Sequence, residues 1–371
     1  MAESFGFFFR KFDASQRMPL EVLYPFEFVD KLKELLSFTI AGCMNTGLTG
    51  QQATGKTTCL MSLIYYLPAA LSIRLQEMAF ELYLRKVYPN RNIMTFVDTP
   101  TVSAQAGIEL QKKTDGDVNL FGEVAQSSVV PLALKMGQTG SAMLMFTAHH
   151  KTTEDLVNEW GDDLVSEGAS TDSFKATQTV ASVLDMDIHL ERAINGLRYI
   201  ARVTQILPHI AEPYPEYNPE DVNRSMYNLQ REYFYRRTDR RMFDTADIIV
   251  YHKGRYLFVN DIHPTKVALI KQHLSDVQSA RFDKFLRRVH EEVVYNRSLG
   301  FTGYSTTDSQ NHIYFGTCVD ENNNVIGHRV DDVIKYNNGR TISIDDTQAI
   351  VGDLEKANYA FDLLEGILNI A

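Results

Sequence analysis

The feature that most constrains this chain is a glycine- and threonine-rich stretch close to its start. Gly50 and Gly55 enclose four residues and are followed directly by Lys56-Thr57, which fits the pattern G-x-x-x-x-G-K-[ST] at every fixed position. In such a loop, consecutive backbone N–H groups point inward and hold a phosphate group, and the following helix adds the positive end of its dipole. The pattern predicts a phosphate-binding loop; the alternative is a Gly/Thr-rich turn without a ligand.

The sequence on both sides of the loop favours the phosphate-binding interpretation. An apolar run at 38–44 is typical of a buried strand, and we predict a strand over 40–48. Residues 57–67 carry an apolar stripe with helical spacing, which ends before Pro68. We expect Lys56 to reach the β- and γ-phosphates of ATP and the Thr57 hydroxyl to hold Mg²⁺. The predicted nucleotide-binding residues are Gly50, Gln51, Gln52, Ala53, Thr54, Gly55, Lys56, Thr57 and Thr58.

Composition indicates a globular protein without a strong preference for nucleic acid. The chain has 371 residues, enough for two domains, and its hydrophobic content of 44% is ordinary. Its formal net charge of −10 argues against general nucleic-acid binding, which depends on clustered Lys and Arg. The three cysteines form no C-x-x-C pair, and no apolar run approaches the ~20 residues that span a bilayer. We therefore expect a cytoplasmic protein.

The pattern along the chain predicts three parts. Residues 1–37 would form an N-terminal strand and linker, with an aromatic strand at 5–9 and a helix at 28–36. Residues 38–207 alternate strand and helix patterns, which is typical of a parallel sheet covered by helices. Asn195-Gly196 predicts a hairpin with a type I′ turn between the last two strands of this part. Residues 208–371 predict an α+β region of unknown role, beginning with a proline-rich linker and a polar helix that carries an arginine cluster at 231–241.

Two further segments place polar residues where predicted strands end. A strand over 118–121 is followed by Gly122-Glu123, and a strand over 142–148 is followed by His149. Because ligands of open α/β sheets bind at the carboxyl ends of the strands, we expect Glu123 and His149 to lie near the phosphate loop. Glu77 follows another short strand and is expected at the same edge. Each of these residues alone is more often a solvated or structural one.

The order and spacing of these motifs over residues 8–207 resembles the type II/type IV secretion ATPase family, and the tight-adherence pilus branch in particular. Phe9-Arg10-Lys11-Phe12 is similar to a strand that precedes the family's motor domain. Arg74 and the segment 77–82 resemble the family's acidic box, with Met78 in place of an Asp. Residues 117–124 match Asp-x-x-x-x-Gly-Glu-Val, followed by Ala125 instead of Arg, and Thr139-Gly140 precedes the histidine box at His149. Ala53 stands where the family's loop has its inner Gly.

The resemblance implies a P-loop NTPase core of the RecA-like kind and a ring motor that hydrolyses ATP. It implies that Glu77 positions or activates the attacking water, that Glu123 acts on Mg²⁺ or the water, and that His149 senses the γ-phosphate; together with Lys56 these are the expected catalytic residues. Thr57 and Glu123 are the expected metal contacts. From the resemblance we expect the family's large N-terminal domain to be missing or reduced in this sequence.

We expect the protein to be an ATP-hydrolysing motor that powers pilus assembly, secretion or DNA transfer. It would act as a hexameric ring at the cytoplasmic face of a membrane, bound there to an inner-membrane platform protein. Two alternatives stay open, a degenerate nucleotide-binding structural subunit and a non-motor P-loop kinase or switch. Gln51-Gln52-Ala53, Met78 and Ala125 favour the first alternative, because loss of one acidic group can slow hydrolysis by orders of magnitude.

Overall fold

A sheet of mostly parallel strands carries the predicted loop. The computed structural model describes residues 18–77, 82–97, 99, 104–111, 113–138, 140–208, 215–238 and 242–298, together with four strands between 314 and 343. The strands are β1 (Thr46–Thr49), β2 (Ile73–Glu77), β3 (Ile93–Val97), β4 (Val118–Phe121), β5 (Met143–Thr147), β6 (Met186–Arg192), β7 (Arg198–Pro208), β8 (Phe243–His252), β9 (Arg255–Phe258), β10 (Tyr314–Val319), β11 (Val325–Val330), β12 (Val333–Tyr336) and β13 (Thr341–Ser343).

Helices alternate with the strands over most of the chain. They are α1 (Leu20–Leu23), α2 (Val29–Ala41), α3 (Lys56–Leu63), α4 (Leu84–Val87), α5 (Ala104–Gln111), α6 (Val130–Gln138), α7 (Thr153–Ser166), α8 (Ser173–Val183), α9 (Val222–Thr238), α10 (Pro264–His273) and α11 (Asp276–Ser298), with short 3₁₀ turns at Ile64–Tyr66 and Ser127–Val129.

The strand order places β1 inside the sheet. Nine strands follow the order β3-β2-β4-β5-β1-β6-β7-β8-β9, and β1 pairs in parallel with both β5 and β6. Every residue of β1, β2, β4 and β5 is buried, as expected for strands covered on both faces. This arrangement confirms the predicted fold class, an α/β P-loop core with a mostly parallel sheet. Because β2, β4, β5, β1 and β6 are parallel, their carboxyl ends meet at one edge.

Helices α6, α7 and α8 build a hydrophobic cluster with this sheet. Trp160 of α7 packs on Phe146 of β5, with ring centroids 4.4 Å apart. The Thr152 side chain caps α7 by accepting from the Asp155 N–H, and Asp172 caps α8. The segment that follows β5 is thereby fixed to the core by the helix that it enters.

The strand predicted before the loop is wrong in its position. Residues 38–41 complete α2, which begins at Val29, and β1 begins only at Thr46. The helix predicted over 28–36 is present, but it begins at Val29 and ends five residues later than expected, at Ala41. An apolar run of this length fits a buried helix end as well as a buried strand, so periodicity alone does not separate them.

The hairpin at Asn195-Gly196 is present, with a different turn. β6 and β7 pair antiparallel, and Gly196 has a φ of 86°, whereas Asn195 has no positive φ. The Gly196 N–H donates to the Ala193 carbonyl at 2.8 Å, and the Ala193 N–H donates to the Leu197 carbonyl at 2.8 Å. This pattern fits a type I turn followed by a left-handed glycine, in place of the predicted type I′ turn.

The region after residue 208 is α+β, as predicted. It contains α9, α10 and α11, the adjacent strands β8 and β9 joined through Lys253-Gly254, and a four-stranded antiparallel sheet in the order β10-β11-β12-β13. Arg231 on α9 is exposed, in agreement with a solvated helix face. The aromatic strand at 5–9, the motif at 9–12, Met78, the turn at 337–339 and the C-terminal helix predicted over 350–368 lie outside the described residues.

The chain forms two compact units. One contains 1–247, 251–256 and 263–275, and the other contains 248–250, 257–262 and 276–371. The predicted division at residues 37 and 207 stays a prediction, although α2 runs across its first boundary. Within the described residues, none of the helices combines the length and apolar character needed to cross a membrane.

Candidate nucleotide site

The loop between β1 and α3 has the backbone shape that its glycines predict. Gly50 has a φ of 136° and Gly55 has a φ of 97°. Residues other than glycine rarely adopt these values. A Cβ on Gly50 would lie 2.1 Å from the Leu190 carbonyl oxygen, so the loop starts in direct contact with β6. Gly55 is the residue immediately before α3, and Lys56 and Thr57 form the first turn of that helix. The backbone of the loop 50–55 and the N-terminus of α3 are therefore arranged so that both can bind one phosphate group.

Ala53 is the one non-glycine residue in the loop with a left-handed conformation, at a φ of 64°. For an L-residue with a Cβ, this region costs about 1–2 kcal/mol. The conformation is therefore one that glycine adopts more readily than alanine. The Gln51, Gln52 and Ala53 side chains are exposed, whereas Thr54 is buried and donates to the Gln51 carbonyl at 2.9 Å.

Lys56 is buried and its ammonium lies inside the loop. Its Nζ donates to the carbonyl oxygens of Gly50 at 2.8 Å and Gln51 at 2.9 Å. The same Nζ lies 3.2 Å from His149 Nδ1. The charge is therefore held at the mouth of the cradle, in the position from which a lysine can reach a bound phosphate.

Glu123 and His149 lie together beside Lys56, as predicted. His149 Nε2 is 2.6 Å from Glu123 Oε1, and both side chains are partly exposed. If Nε2–H donates to the carboxylate, Nδ1 carries the lone pair that accepts from the Lys56 ammonium, so one neutral tautomer satisfies both contacts. The Val124 N–H donates to the Thr147 carbonyl at 2.8 Å, which holds the end of β4 against the end of β5.

Glu77 lies at the same edge of the sheet, on the far side of Glu123. It ends β2, is 4% exposed, and accepts from the Leu82 N–H through Oε1 at 2.9 Å. A Cβ on Gly122 would lie 3.2 Å from Glu77 Cγ, so the glycine before Glu123 permits the close approach of the two strand ends. The structure thus brings all four predicted catalytic residues to one edge.

Two residues of the resembled motifs lie elsewhere. Arg74 donates through Nε to Thr114 Oγ1 at 2.9 Å, and Asp117 accepts from the Ser72 N–H at 2.7 Å. These contacts join the starts of β2 and β4, at the edge opposite the loop. Hydrogen bonds from Ser72 lower the pKa of Asp117. The bond from the Ser72 N–H has the largest effect, and the bond from its hydroxyl adds to it. Both residues therefore have structural roles here.

Arg198, which lies next to the loop, belongs to none of the motifs in the sequence. Its Cδ would be 3.5 Å from a Cβ on Gly55, and its side chain is exposed. Arg198 begins β7, directly after the hairpin turn, and its partner in the register is Arg192. The sequence predicts the hairpin. However, the hairpin lies beside the loop only because β6 pairs with β1, and no local sequence pattern predicts that pairing.

The residues at this edge fit ATP and Mg²⁺. The loop offers backbone N–H groups and a lysine ammonium for phosphate oxygens, and Thr57 offers a half-buried hydroxyl in the first turn of α3. Glu123 supplies a partly exposed carboxylate, which is the type of oxygen ligand that Mg²⁺ prefers. One or two such groups are usual for Mg²⁺, because substrate phosphates and water complete its coordination.

Comparison with known proteins finds similar solved structures, and each of them matches only part of this chain. No protein family model and no curated protein matches the sequence. The VirB11 ATPase of the Brucella suis type IV secretion system, in complex with sulphate, is 16% identical over 47% of this chain and 52% of its own, with a TM-score of 0.43. The Legionella pneumophila ATPase DotB is 16% identical over 55% and 57%, with a TM-score of 0.35. The pilus retraction motor PilT with bound ADP is 19% identical over 56% and 57%, with a TM-score of 0.37.

The first of these proteins is an ATPase of a type IV secretion system, the second is an ATPase, and the third is a pilus retraction motor. The chain spans little more than half the length of each of them.

Proposed function

We propose that this chain binds ATP with Mg²⁺ at the loop 50–58 and hydrolyses it. The observation that supports this most is the contact series from Glu123 through His149 to Lys56, which joins an acid, an imidazole and the loop lysine at one sheet edge. A glycine- and threonine-rich turn without a ligand would not require a buried lysine within its own cradle. The alternative of a ligand-free turn explains neither contact.

The residues would divide the work in a simple way. The loop amides and Lys56 bind the β- and γ-phosphates, and Thr57 and Glu123 hold the metal. Mg²⁺ would neutralise charge that develops on the phosphate oxygens. Glu77 and Glu123 would orient a water molecule or accept its proton, and His149 would contact the γ-phosphate side of the nucleotide. Positioned charges of this kind supply most of the catalysis in phosphoryl transfer.

We propose further that the ATPase is a motor subunit that works as a hexameric ring for pilus assembly, secretion or DNA transfer. The order of the motifs over residues 8–207 supports this part of the proposal. It would bind a platform protein of the inner membrane from the cytoplasmic side. The net charge of −10 does not favour nucleic acid as the direct partner.

Steady-state ATPase assays combined with size-exclusion chromatography, with and without ATP·Mg²⁺, test the proposal. Turnover by a hexamer supports the motor, nucleotide binding without turnover supports a degenerate structural subunit, and turnover by a monomer supports a kinase or switch. Pull-down with a membrane platform protein then tests the partner.

Two variants test whether this site is responsible. Lys56→Ala should abolish nucleotide binding, because it removes the cation at the cradle. Glu123→Gln should keep binding and lower turnover by about 10²-fold or more. Lys175→Ala is the control, because Lys175 is exposed on α8. Turnover retained in both site variants would exclude this site.

A further inference from the structure

A buried carboxylate beside the phosphate loop has no role in the chemistry described above. Asp187 lies on β6, opposite Gly47 of β1, and its side chain is fully buried. Its Oδ1 accepts from Thr49 Oγ1 at 2.7 Å, and its Oδ2 accepts from Thr153 Oγ1 at 2.7 Å. A carboxyl group is costly to bury unless hydrogen bonds compensate it, so these two hydroxyls are important for its placement.

The two hydroxyls belong to the two segments that form the site. Thr49 is the last residue of β1 and directly precedes Gly50, whose carbonyl accepts from Lys56. Thr153 is the first residue of α7 and follows His149 by four positions. One carboxylate therefore joins the start of the phosphate loop to the segment that carries the histidine.

The groups around Asp187 favour this arrangement. Thr49 Oγ1 also lies 2.8 Å from His189 Nδ1. Because the hydroxyl has a single hydrogen, it can donate to Asp187 and accept from Nδ1–H of a neutral His189. Burial, with the charges of Arg202 and Lys56, lowers the pKa of His189 to about 3, so the imidazole is neutral at pH 7.

Arg202 supports the same segment from β7. Its Nη2 donates to the Lys151 carbonyl at 3.1 Å, between His149 and Thr153. Burial raises the pKa of both Asp187 and Asp247 of β8, and the positive charge of Arg202 opposes that rise. Asp247 accepts from Thr204 Oγ1 of β7 at 2.6 Å.

We propose that Asp187 is a positioning residue of the candidate nucleotide site, and that it couples the phosphate loop at Thr49 to the His149 segment at Thr153. This inference rests on the proposed function, because it assigns a role within the same site. It predicts that nucleotide binding, which depends on the loop amides and Lys56, survives loss of the carboxylate. Turnover, which needs His149 and Glu123 in register with the phosphates, does not.

The test compares Asp187→Asn, Thr153→Val and Thr153→Ser with the control Asp247→Asn in the full chain. Asp187→Asn and Thr153→Val should lower kcat about tenfold or more, with KM within about threefold of wild type, because each weakens a hydrogen bond to a charged group. Thr153→Ser keeps the hydroxyl and should retain kcat, as should Asp247→Asn. The Thr153 pair keeps the test valid if Asp187→Asn does not fold.

Amide hydrogen exchange without nucleotide separates this inference from the proposed function. Asp187→Asn should speed exchange in peptides covering both 46–60 and 149–156, whereas Asp247→Asn should leave both unchanged. If the wild-type chain lacks ATPase activity but shows this paired change, the proposed function fails and the coupling stands. Unchanged exchange in either segment, or equal kcat for Asp187→Asn and Asp247→Asn in an active enzyme, overturns the inference.

Discussion

Lys56 Nζ lies 3.2 Å from His149 Nδ1, although 93 residues separate them in the chain. The contact joins the first residue of α3 to the residue two positions after β5. Because β1 and β5 are parallel neighbours, both segments leave the sheet at the same edge.

His149→Ala should lower kcat by about 10²-fold and change the nucleotide Kd by less than about threefold. The substitution removes the group between Glu123 and Lys56 but leaves the loop amides and the lysine in place. Stopped-flow nucleotide binding and steady-state ATPase assays measure the two effects separately. His150→Ala is the matched control, since the His150 imidazole faces Glu159 of α7 at 3.0 Å. Equal losses in both variants would contradict a specific role for His149.

Ala53→Gly should be neutral or should stabilise the fold by up to about 1 kcal/mol, because glycine tolerates the φ of 64° that strains alanine. Gly50→Ala should destabilise by about 2 kcal/mol or more, because its Cβ would meet the Leu190 carbonyl oxygen at 2.1 Å. Thermal and urea unfolding measure both changes. A marked loss of stability in Ala53→Gly would show that the loop has a different backbone conformation.

Arg198→Ala should weaken nucleotide binding about tenfold, since a guanidinium next to Gly55 can form charge-assisted hydrogen bonds with phosphate oxygens. Arg198→Lys should recover part of the affinity, because it keeps the charge but loses the planar fork. Arg192→Ala serves as the control, for its guanidinium lies 3.9 Å from the Cβ position of Gly196, at the turn. Isothermal titration with a non-hydrolysable ATP analogue gives the affinities. Wild-type affinity in Arg198→Ala would remove this arginine from the site.

Asp187 and His189 should give opposite pH dependences to stability. Burial raises the pKa of Asp187 to about 6 from 3.8, so the folded chain holds more protons than the unfolded chain between these values. Its contribution to the free energy of unfolding therefore falls as pH rises through that window. Burial lowers the pKa of His189 to about 3 from 6.5, and its contribution rises with pH between those values.

The stability of Asp187→Asn relative to wild type should therefore increase from pH 4 to pH 6, by at most about 1.4 kcal/mol per pH unit. The relative stability of His189→Gln should decrease over the same range. Urea unfolding at several pH values measures both differences. Parallel curves for both variants and wild type would show that neither group titrates in this window.

Local sequence determined the parts of the site that depend on neighbours in the chain. The fixed spacing of Gly50, Gly55 and Lys56-Thr57 predicts the loop, and the φ values of the two glycines show why glycine is needed there. The placement of Glu123 and His149 after strands followed from the apolar runs before them. The hairpin at Gly196 was found for the same reason, although its turn type was not.

Sequence patterns alone thus predict the loop, the parallel α/β core and the four residues at its edge. The folded structure was needed to show that β6 lies beside β1, which brings Arg198 to Gly55 and places Asp187 between Thr49 and Thr153. The folded structure was also needed to identify residues 38–41 as the end of α2, because an apolar run of this kind is typical of a strand as well. Strand order and the choice of helix or strand for a short apolar run depend on packing between distant segments, and no local propensity encodes that packing.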